Sequence, residues 1–329
     1  MELIAYSYLL LFVLVGIVIF FLGRALENRM ERDARRYVRL LVIIPRSRHG
    51  NGLGRDKHEF ECSVDLYKRL GELRIPFALE SVVHGLGEEI HFYLCVTKRH
   101  MKAAERLVLS FWPSAYIAEA EEHELWISSE AAGGIAIAAG YLTQTSPYLL
   151  PLKTAIKGSF EPFFGLLQHL SGLAAIGEGA AVQWIVRPAD PRITADVGKH
   201  LQALQSGSYH PSKHLHEKFV ATPDSLKILA QKAASPLFAV NARIVIAGPQ
   251  KSAEEILARL ASHFATSSVA GSQYNSLTVV SAKKNTERLL DAFTARSFEP
   301  AQEMILTAEE VATYFHFPGN NTTAPKIRR

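Results

Sequence analysis

Residues 77–96, FALESVVHGLGEEIHFYLCV, contain two strand-like runs separated by a short glycine-containing turn. The runs at residues 77–84 and 89–96 are rich in β-branched and aromatic residues, which favours strands, and residues 85–88 predict a hairpin between them. A hairpin restricts the fold class, because its two strands must lie side by side and antiparallel. The elements on either side of this segment decide which antiparallel fold it belongs to.

The flanking residues complete the order strand, helix, strand, strand, helix, strand. Residues 37–44, YVRLLVII, form a short apolar run that ends at a proline, as expected of a strand. Residues 62–73 and 98–111 place apolar side chains at helical spacing, and residues 115–120 predict a closing strand. This is the split βαβ pattern of a ferredoxin-like domain, which we place at residues 37–125.

The same order recurs downstream and predicts a second ferredoxin-like domain at residues 147–285. A polar, helix-prone insertion interrupts it at residues 190–235. The strands and helices predicted for this domain lie at residues 148–155, 160–173, 180–186, 237–247, 252–264 and 276–282.

Three further segments lie outside these domains. Residues 126–146 are predicted to be a linker, because their apolar part is about a dozen residues long and a membrane span needs about 17 or more. Residues 286–318 predict a C-terminal helical segment, whose last helix begins with a capping box at residues 307–310. The tail at residues 319–329 is predicted to be disordered.

Residues 1–23 predict a transmembrane anchor. The run LIAYSYLLLFVLVGIVIFFLG at residues 3–23 has no charged residue and is long enough to cross a hydrocarbon core of about 30 Å. A signal peptide would begin with a basic region and end at a small-residue cleavage site, and neither is present. The predicted fold class is therefore α+β, with one N-terminal transmembrane helix followed by two ferredoxin-like domains.

Arginine residues cluster directly after the apolar run, in a basic juxtamembrane stalk at residues 24–36 and just beyond it. Because basic residues are retained in the cytoplasm, they predict a single-pass protein of the inner membrane with its N-terminus outside and its C-terminal body in the cytoplasm. They could also contact anionic headgroups of the lipid bilayer. These topology and membrane-surface residues are Arg24, Arg29, Arg32, Arg35, Arg36 and Arg39.

The composition argues against several function classes. Of the 329 residues, 48% are hydrophobic and 21% are charged, as in a globular body with an added anchor. The formal net charge of +4 is too small to indicate a nucleic-acid surface. Cys62 and Cys95 are the only cysteines, which is too few for a disulfide framework or a zinc site and agrees with a reducing compartment.

The chain carries no catalytic or cofactor-binding motif that we can identify, so we predict that it is not an enzyme and needs no cofactor. Residues 248–252 end in Lys-Ser, as a phosphate-binding loop does, but Val245 and Gln250 occupy the positions where that loop requires glycine. The candidates for metal binding are His210, His214 and His216, which need a further ligand to form a site. We therefore predict no metal site.

Several stretches resemble the N-terminal region of membrane-anchored proteins related to the coupling ATPases of type IV secretion and conjugative transfer. In longer members of that family, a segment like ILTAEEVATYFHFP is followed by a proline-containing linker and then a motor domain with a phosphate-binding loop. The motor motifs are absent from these 329 residues. The resembling stretches are residues 81–96, 148–154, 161–188, 238–248 and 305–325.

The resemblance implies a non-catalytic, membrane-anchored scaffold or docking subunit of a type IV secretion or conjugation-like translocation complex. Its partner would be a separate ATPase subunit, and the ring-forming motors of the family imply that it also self-associates as a homo-oligomer. Two alternatives remain open. One is a membrane-tethered nucleic-acid-binding protein that contacts the translocated DNA, and the other is a metal-dependent hydrolase built on the three histidines.

Overall fold

A nine-stranded antiparallel sheet organises the computed structural model of the chain. The structure describes residues 37–45, 55–84, 89–121, 135–155, 160–173, 178–206, 222–267, 274–319, 322 and 325–328. All statements about its architecture below refer to these residues.

The strands and helices alternate in an irregular order along the chain. The strands are β1 (Tyr37–Ile43), β2 (Phe77–Val83), β3 (Ile90–Thr97), β4 (Tyr116–Ala120), β5 (Ile135–Gln144), β6 (Gly179–Pro188), β7 (Leu237–Pro249), β8 (Leu277–Ser281) and β9 (Met304–Thr307). The helices are α1 (Arg55–Glu72), α2 (Met101–Phe111), α3 (Pro162–Ser171), α4 (Pro191–Gln205), α5 (Pro223–Ala234), α6 (Gln250–Ser267), α7 (Thr286–Thr294) and α8 (Ala308–Tyr314).

The sheet is built from two halves with the same internal strand order. Its spatial order is β4-β1-β3-β2-β6-β7-β5-β8, and β9 pairs with the free part of β7. From the outer edge inwards, the first half reads β4, β1, β3, β2 and the second half reads β8, β5, β7, β6. In each half this is the fourth, first, third and second strand along the chain. The halves meet where β2 pairs antiparallel with β6, from Phe77 opposite Val186 to Val83 opposite Ala180.

This shared sheet corrects the predicted fold class, because the two halves are not separate ferredoxin-like domains. In an isolated domain of that type β2 would be an edge strand, whereas every residue of β2 is buried here. A strand buried on both faces and flanked on both sides must be apolar almost throughout, and the sequence FALESVV meets that requirement. The pattern within each half agrees with two units, but the pairing between the halves depends on contacts distant in sequence.

Helices cover both faces of the sheet. On the five-helix face, α1, α2, α3, α6 and α8 pack over a large apolar core that contains Phe92, Trp184 and Phe264. On the three-helix face, α4, α5 and α7 pack over a smaller core. The helices α4 and α5 belong to the insertion predicted at residues 190–235, so this insertion supplies most of the second helical layer.

The first half follows the predicted element order, but the segment between the halves does not. Residues 135–144, predicted as part of a linker at 126–146, form β5 between β7 and β8. This strand consists largely of small residues, so it shows little of the side-chain alternation that identifies strands. Gly140 permits a close approach to β8, since a Cβ there would lie 2.9 Å from a methyl carbon of Val279. The strand predicted at residues 148–155 is instead irregular.

The C-terminal residues also differ from their prediction. The predicted helical segment at 286–318 contains α7, then the strand β9, and then α8. The described part of the tail, which was predicted to be disordered, returns to β3. Its Ile327 forms a parallel bridge with Ile90, and the amide of Arg328 donates to the carbonyl of Ile90 at 3.2 Å.

The predicted membrane topology is also corrected. Among the described residues no helix is long and apolar enough to cross a membrane. The two longest helices, α1 and α6, carry charged side chains on several turns. The predicted anchor at residues 1–23 and the stalk at 24–36 lie outside the described residues. The described residues contradict the predicted inner-membrane localisation with the N-terminus outside and the body in the cytoplasm.

A buried ion pair fastens the C-terminal elements to the rest of the fold. The Glu310 carboxylate accepts hydrogen bonds from the Lys232 ammonium at 3.2 Å and from the backbone amides of Leu152 at 2.5 Å and Thr307 at 2.6 Å. Lys232 also donates to the carbonyl of Ile305 at 2.9 Å. Thr307 and Glu310 form the predicted capping box of α8. One carboxylate thus joins α5, β9, α8 and the segment after β5.

Replacing Glu310 should destabilise the protein strongly. In Glu310→Ala the ammonium of Lys232, which is 2% exposed, would keep its burial and lose its carboxylate. We expect a loss of about 3–5 kcal/mol in the free energy of unfolding, measured by denaturant titration. The neighbouring Glu309→Ala is the control, because its partly exposed pair with Lys68 should contribute about 1 kcal/mol or less. Equal effects of the two changes would contradict this account.

Candidate functional site

A row of side chains crosses the middle of the three-helix face. Successive strand registers place Tyr93 opposite Glu80, Glu80 opposite Gln183, Gln183 opposite Arg243, and Arg243 opposite Tyr141. Directly opposed residues of antiparallel strands project from the same face of a sheet. The five residues therefore form one line across β3, β2, β6, β7 and β5, and this line passes over the junction between the two halves.

The carboxylate of Glu80 is the centre of this row. It accepts a hydrogen bond from Arg296 Nε at 2.8 Å and another from Gln183 Nε2 at 2.9 Å, and it lies 3.3 Å from Arg39 Nε. The side chains of Glu80, Arg39 and Arg296 are each 5% exposed or less. Burial alone would raise the pKa of Glu80, but the nearby guanidinium groups of Arg296 and Arg39 outweigh it and hold that pKa below its ordinary value.

The backbone of Arg296 adopts a conformation that is unusual for a residue with a side chain. It follows α7 with φ of 50°, and its amide donates to the carbonyl of Phe293 while the amide of Ser297 donates to that of Ala292. This is the Schellman arrangement, in which glycine normally occupies the left-handed position. An arginine there costs about 1 kcal/mol or more in backbone conformation, and its side chain reaches Glu80 from this position.

Arg243 and Gln183 bind the C-terminal end of α7. Arg243 donates to the carbonyls of Ala292 at 2.8 Å and Ser297 at 2.6 Å, and Gln183 donates to that of Phe293 at 2.9 Å. Carbonyl groups at a helix C-terminus are unpaired within the helix and carry partial negative charge, so a cation stabilises them. Burial lowers the pKa of Arg243 to about 10, which leaves it charged at neutral pH. The sheet thereby fixes the position of α7.

Arg39 completes the arrangement from the first half. Its guanidinium lies 4.0 Å from the centre of the Tyr93 ring and donates to the carbonyl of Glu121 at 3.4 Å. A guanidinium over an aromatic face is attracted by the ring quadrupole, and more strongly when both groups are out of water. Burial raises the pKa of Tyr93, with Arg39 acting in the opposite direction.

The residues proposed from the sequence have different outcomes. Arg39, which was assigned to the membrane surface, is instead buried on β1, because alternation along the strand directs it to the face where Glu80 lies. The five preceding arginines, Arg24, Arg29, Arg32, Arg35 and Arg36, lie outside the described residues. The metal candidates His210, His214 and His216 also lie outside them. Within the described ranges no group of three metal-ligating side chains is present.

The sequence contains a signal for the polar row that is not a motif. Glu80 and Arg243 are each the single charged residue near the middle of a largely apolar strand, and Gln183 is the single strongly polar residue near the middle of β6. A charge in such a position must find a partner inside the protein, because its burial without one costs several kcal/mol. Sequence alone indicates that such partners exist, whereas Arg296 can be identified as one of them only from the structure.

A smaller polar cluster lies at the surface of α4. The Tyr148 hydroxyl donates to Asp196 Oδ2 at 2.5 Å, and His200 Nε2 lies 3.5 Å from the same oxygen. Burial and the neighbouring carboxylate both raise the pKa of Tyr148. An apolar depression lined by Leu149 and Val197 adjoins this cluster. Two of the three polar groups are metal-ligand types, which is too few for a metal site.

The chemistry of the central row is that of a structural junction. Its carboxylate comes from the first half and is held by Arg39 of that half, whereas Gln183, Arg243 and Arg296 come from the second. The oxygen atoms of Glu80 accept hydrogen bonds from Gln183 and Arg296 and form an ion pair with Arg39, so three segments meet at this carboxylate. The network therefore fixes the two halves and α7 relative to one another.

Comparison with family models gives a match over most of the chain. A family model described as a domain of unknown function, DUF8128, matches residues 82–329, which is more than half of the chain. The matched region contains the whole second half of the sheet and begins at the end of β2. A search of curated proteins finds no match.

Neutralising Glu80 should cost more stability than neutralising an exposed glutamate of the same sheet. In Glu80→Gln the guanidinium groups of Arg39 and Arg296 would lose the carboxylate between them, with an expected loss of about 3–5 kcal/mol in the free energy of unfolding. Glu119→Gln on β4 is the matched control, and it should change this free energy by about 0.5 kcal/mol or less. Chemical denaturation of both variants makes the comparison, and a loss below about 1 kcal/mol for Glu80→Gln would refute the junction.

The same carboxylate should make stability depend on pH. Because the pKa of Glu80 is lower in the folded protein than its ordinary value of 4.5, its contribution is fully present above that pH. The contribution is lost as the pH falls through the lowered pKa. The melting temperature should therefore drop on acidification below about pH 4.5, and it should drop less steeply in Glu80→Gln. Identical slopes in both proteins, measured between about pH 7 and pH 3, would exclude Glu80 as a source.

Proposed function

We propose that this chain, which belongs to the DUF8128 family, is a non-catalytic scaffold subunit of a translocation complex of the type IV secretion or conjugation class. In that role it would dock a separate ATPase subunit. The proposal concerns the body formed by the two halves of the sheet.

The main observation behind this proposal is that the buried charged side chains all hold elements of the fold together. Each of the described side chains that is charged and nine-tenths or more buried binds a group on another element, rather than facing an open cleft. Because these contacts fix the elements relative to one another, the surface of the protein has a defined geometry. Such a surface can dock a partner without a large rearrangement. These six side chains are Arg39, Glu80, Lys232, Arg243, Arg296 and Glu310.

The stretches that resemble the coupling-protein family give further support. Residues 81–96 include the end of β2 and most of β3, residues 161–188 include α3 and β6, and residues 238–248 form most of β7. Residues 305–325 contain most of β9 and all of α8, which the buried pair of Glu310 with Lys232 connects to α5. The resemblance thus falls on the centre of the sheet and on the C-terminal elements, where an inherited architecture would be expected.

Affinity capture of the full chain from its source cells, with cross-linking and mass spectrometry, tests the scaffold role. We expect recovery of an ATPase that contains a phosphate-binding loop, with cross-links to surface lysines of this chain. Glu310→Ala at matched expression is the control, because loss of the C-terminal brace should reduce that recovery. If repeated capture yields this chain alone, the translocation role is wrong.

The alternative functions make different predictions in the same material. A nucleic-acid-binding protein would retain DNA or RNA whose recovery falls steeply as salt rises. A metal-dependent hydrolase would contain stoichiometric metal that is lost when His210, His214 and His216 are replaced. If nucleic acid or stoichiometric metal is recovered and no ATPase is, the corresponding alternative function replaces the scaffold role.

A further inference from the structure

The strand β8 leaves one edge of the sheet open. It pairs with β5 on one side. On its other side Asn275, just before the strand, bridges to Leu152, and no strand of the described residues pairs with the part of the edge at Val279–Ser281. Residues 274–282, YNSLTVVSA, carry no charged side chain and no proline. Natural edge strands usually contain such residues, because an unprotected edge pairs with other strands.

The opposite edge of the sheet is protected in this manner. The strand β4 presents the charged side chain of Glu119 to solvent within the strand, whereas the nearest charges of β8, Lys283 and Lys284, lie only beyond its end. A charged side chain at an edge opposes the addition of a further strand. The two edges of one sheet therefore differ, and β8 is the edge that permits pairing.

The ladder between β5 and β8 shows which backbone groups face outward. The amide of Thr145 donates to the carbonyl of Ser276 at 2.9 Å, and the amide of Ala282 donates to that of Ala139 at 2.8 Å. Hydrogen-bonded positions alternate along an antiparallel ladder, so positions 276, 278, 280 and 282 face β5. The N–H and C=O groups of Val279 and Ser281 consequently point away from it.

An exposed apolar side chain lies between these outward-facing positions. Val280 is 38% exposed and projects from the three-helix face beside Tyr141, its partner on β5. It is one of four large apolar side chains exposed among the described residues. A strand added to β8 would cover it.

We propose that two copies of this chain pair through β8, antiparallel and about a two-fold axis at Val280. Val279 of each copy would exchange two backbone hydrogen bonds with Ser281 of the partner subunit. Val280 would then lie directly opposite Val280 of the partner subunit, in the closer, non-hydrogen-bonded type of pair. The two sheets would become one, with corresponding helices on the same faces.

A second copy fits this edge because the chain already contains the same kind of joint. At β2 and β6, two units of equal strand order meet edge to edge and antiparallel, so that one sheet continues through both. Pairing of β8 with itself repeats that operation and gives a closed dimer, whose outer edges are the two protected β4 strands. Pairing of β8 with β4 would instead give an open array.

The dimer would give the proposed scaffold its self-association surface, and in this sense it rests on the proposed function. The experiment that tests the dimer measures a cross-link between two copies of this chain, and it does not depend on the recovery of an ATPase. The two proposals can therefore fail separately.

Cysteine cross-linking in the full chain tests the pairing. Non-hydrogen-bonded partners lie about 4.5 Å apart at Cα, which is within the range that a disulfide bridges. Under mild oxidation Val280→Cys should form a covalent dimer about tenfold faster than Tyr116→Cys on β4, because only the former thiols are held together at high effective concentration. The native thiols should not compete, since burial raises the pKa of Cys62 to about 11 and that of Cys95 to about 12.

A second change separates strand pairing from accidental collision. Ser281→Pro, added to Val280→Cys, removes an N–H group that points outward and leaves the β5 ladder intact, so it should abolish the rapid cross-link. Ser281→Ala in the same background should retain it. The proposal is overturned if Val280→Cys and Tyr116→Cys react equally fast, if Ser281→Pro has no effect, or if β8 is found paired with a different protein.

Discussion

The carboxylate of Glu80 and the guanidinium groups of Arg39 and Arg296 are held together away from water. An ion pair at about 4 Å gains about 4 kcal/mol at an effective dielectric constant of 20, while the removal of each ion from water costs several kcal/mol. These opposing contributions leave little net gain in stability. The larger effect of such a group is on specificity, because an arrangement that separates its members leaves a buried charge without a partner.

That constraint acts on strand register in the centre of the sheet. A shift of β2 by one residue would turn Glu80 towards the apolar five-helix face and would move Phe77 and Leu79 to the opposite face. A shift of β6 or β7 would likewise separate Gln183 or Arg243 from the end of α7. The polar row thus favours one alignment of five strands, and α7 can dock in one position only.

Local pattern was sufficient to predict much of the first half. The two strands within residues 77–96 and both helices of that half follow from side-chain periodicity. In the C-terminal part, the capping box at Thr307 follows from hydrogen bonding over a few residues. The strand β5 was missed because its small residues give little alternation, and the joining of β2 to β6 was missed because it involves residues about a hundred positions apart. The polar row was also missed, since its partners come from distant segments such as Arg296.

The joint between β2 and β6 also determines how the molecule can come apart. Separation of the halves would expose two strands that are apolar on both sides, together with their unpaired backbone groups, so neither half has a stable surface of its own. Loss of structure in one half therefore removes support from the other, and the two are expected to melt in a single cooperative transition. For the same reason, gene-level exchange of one half would succeed only if the incoming half preserved the strand at the joint.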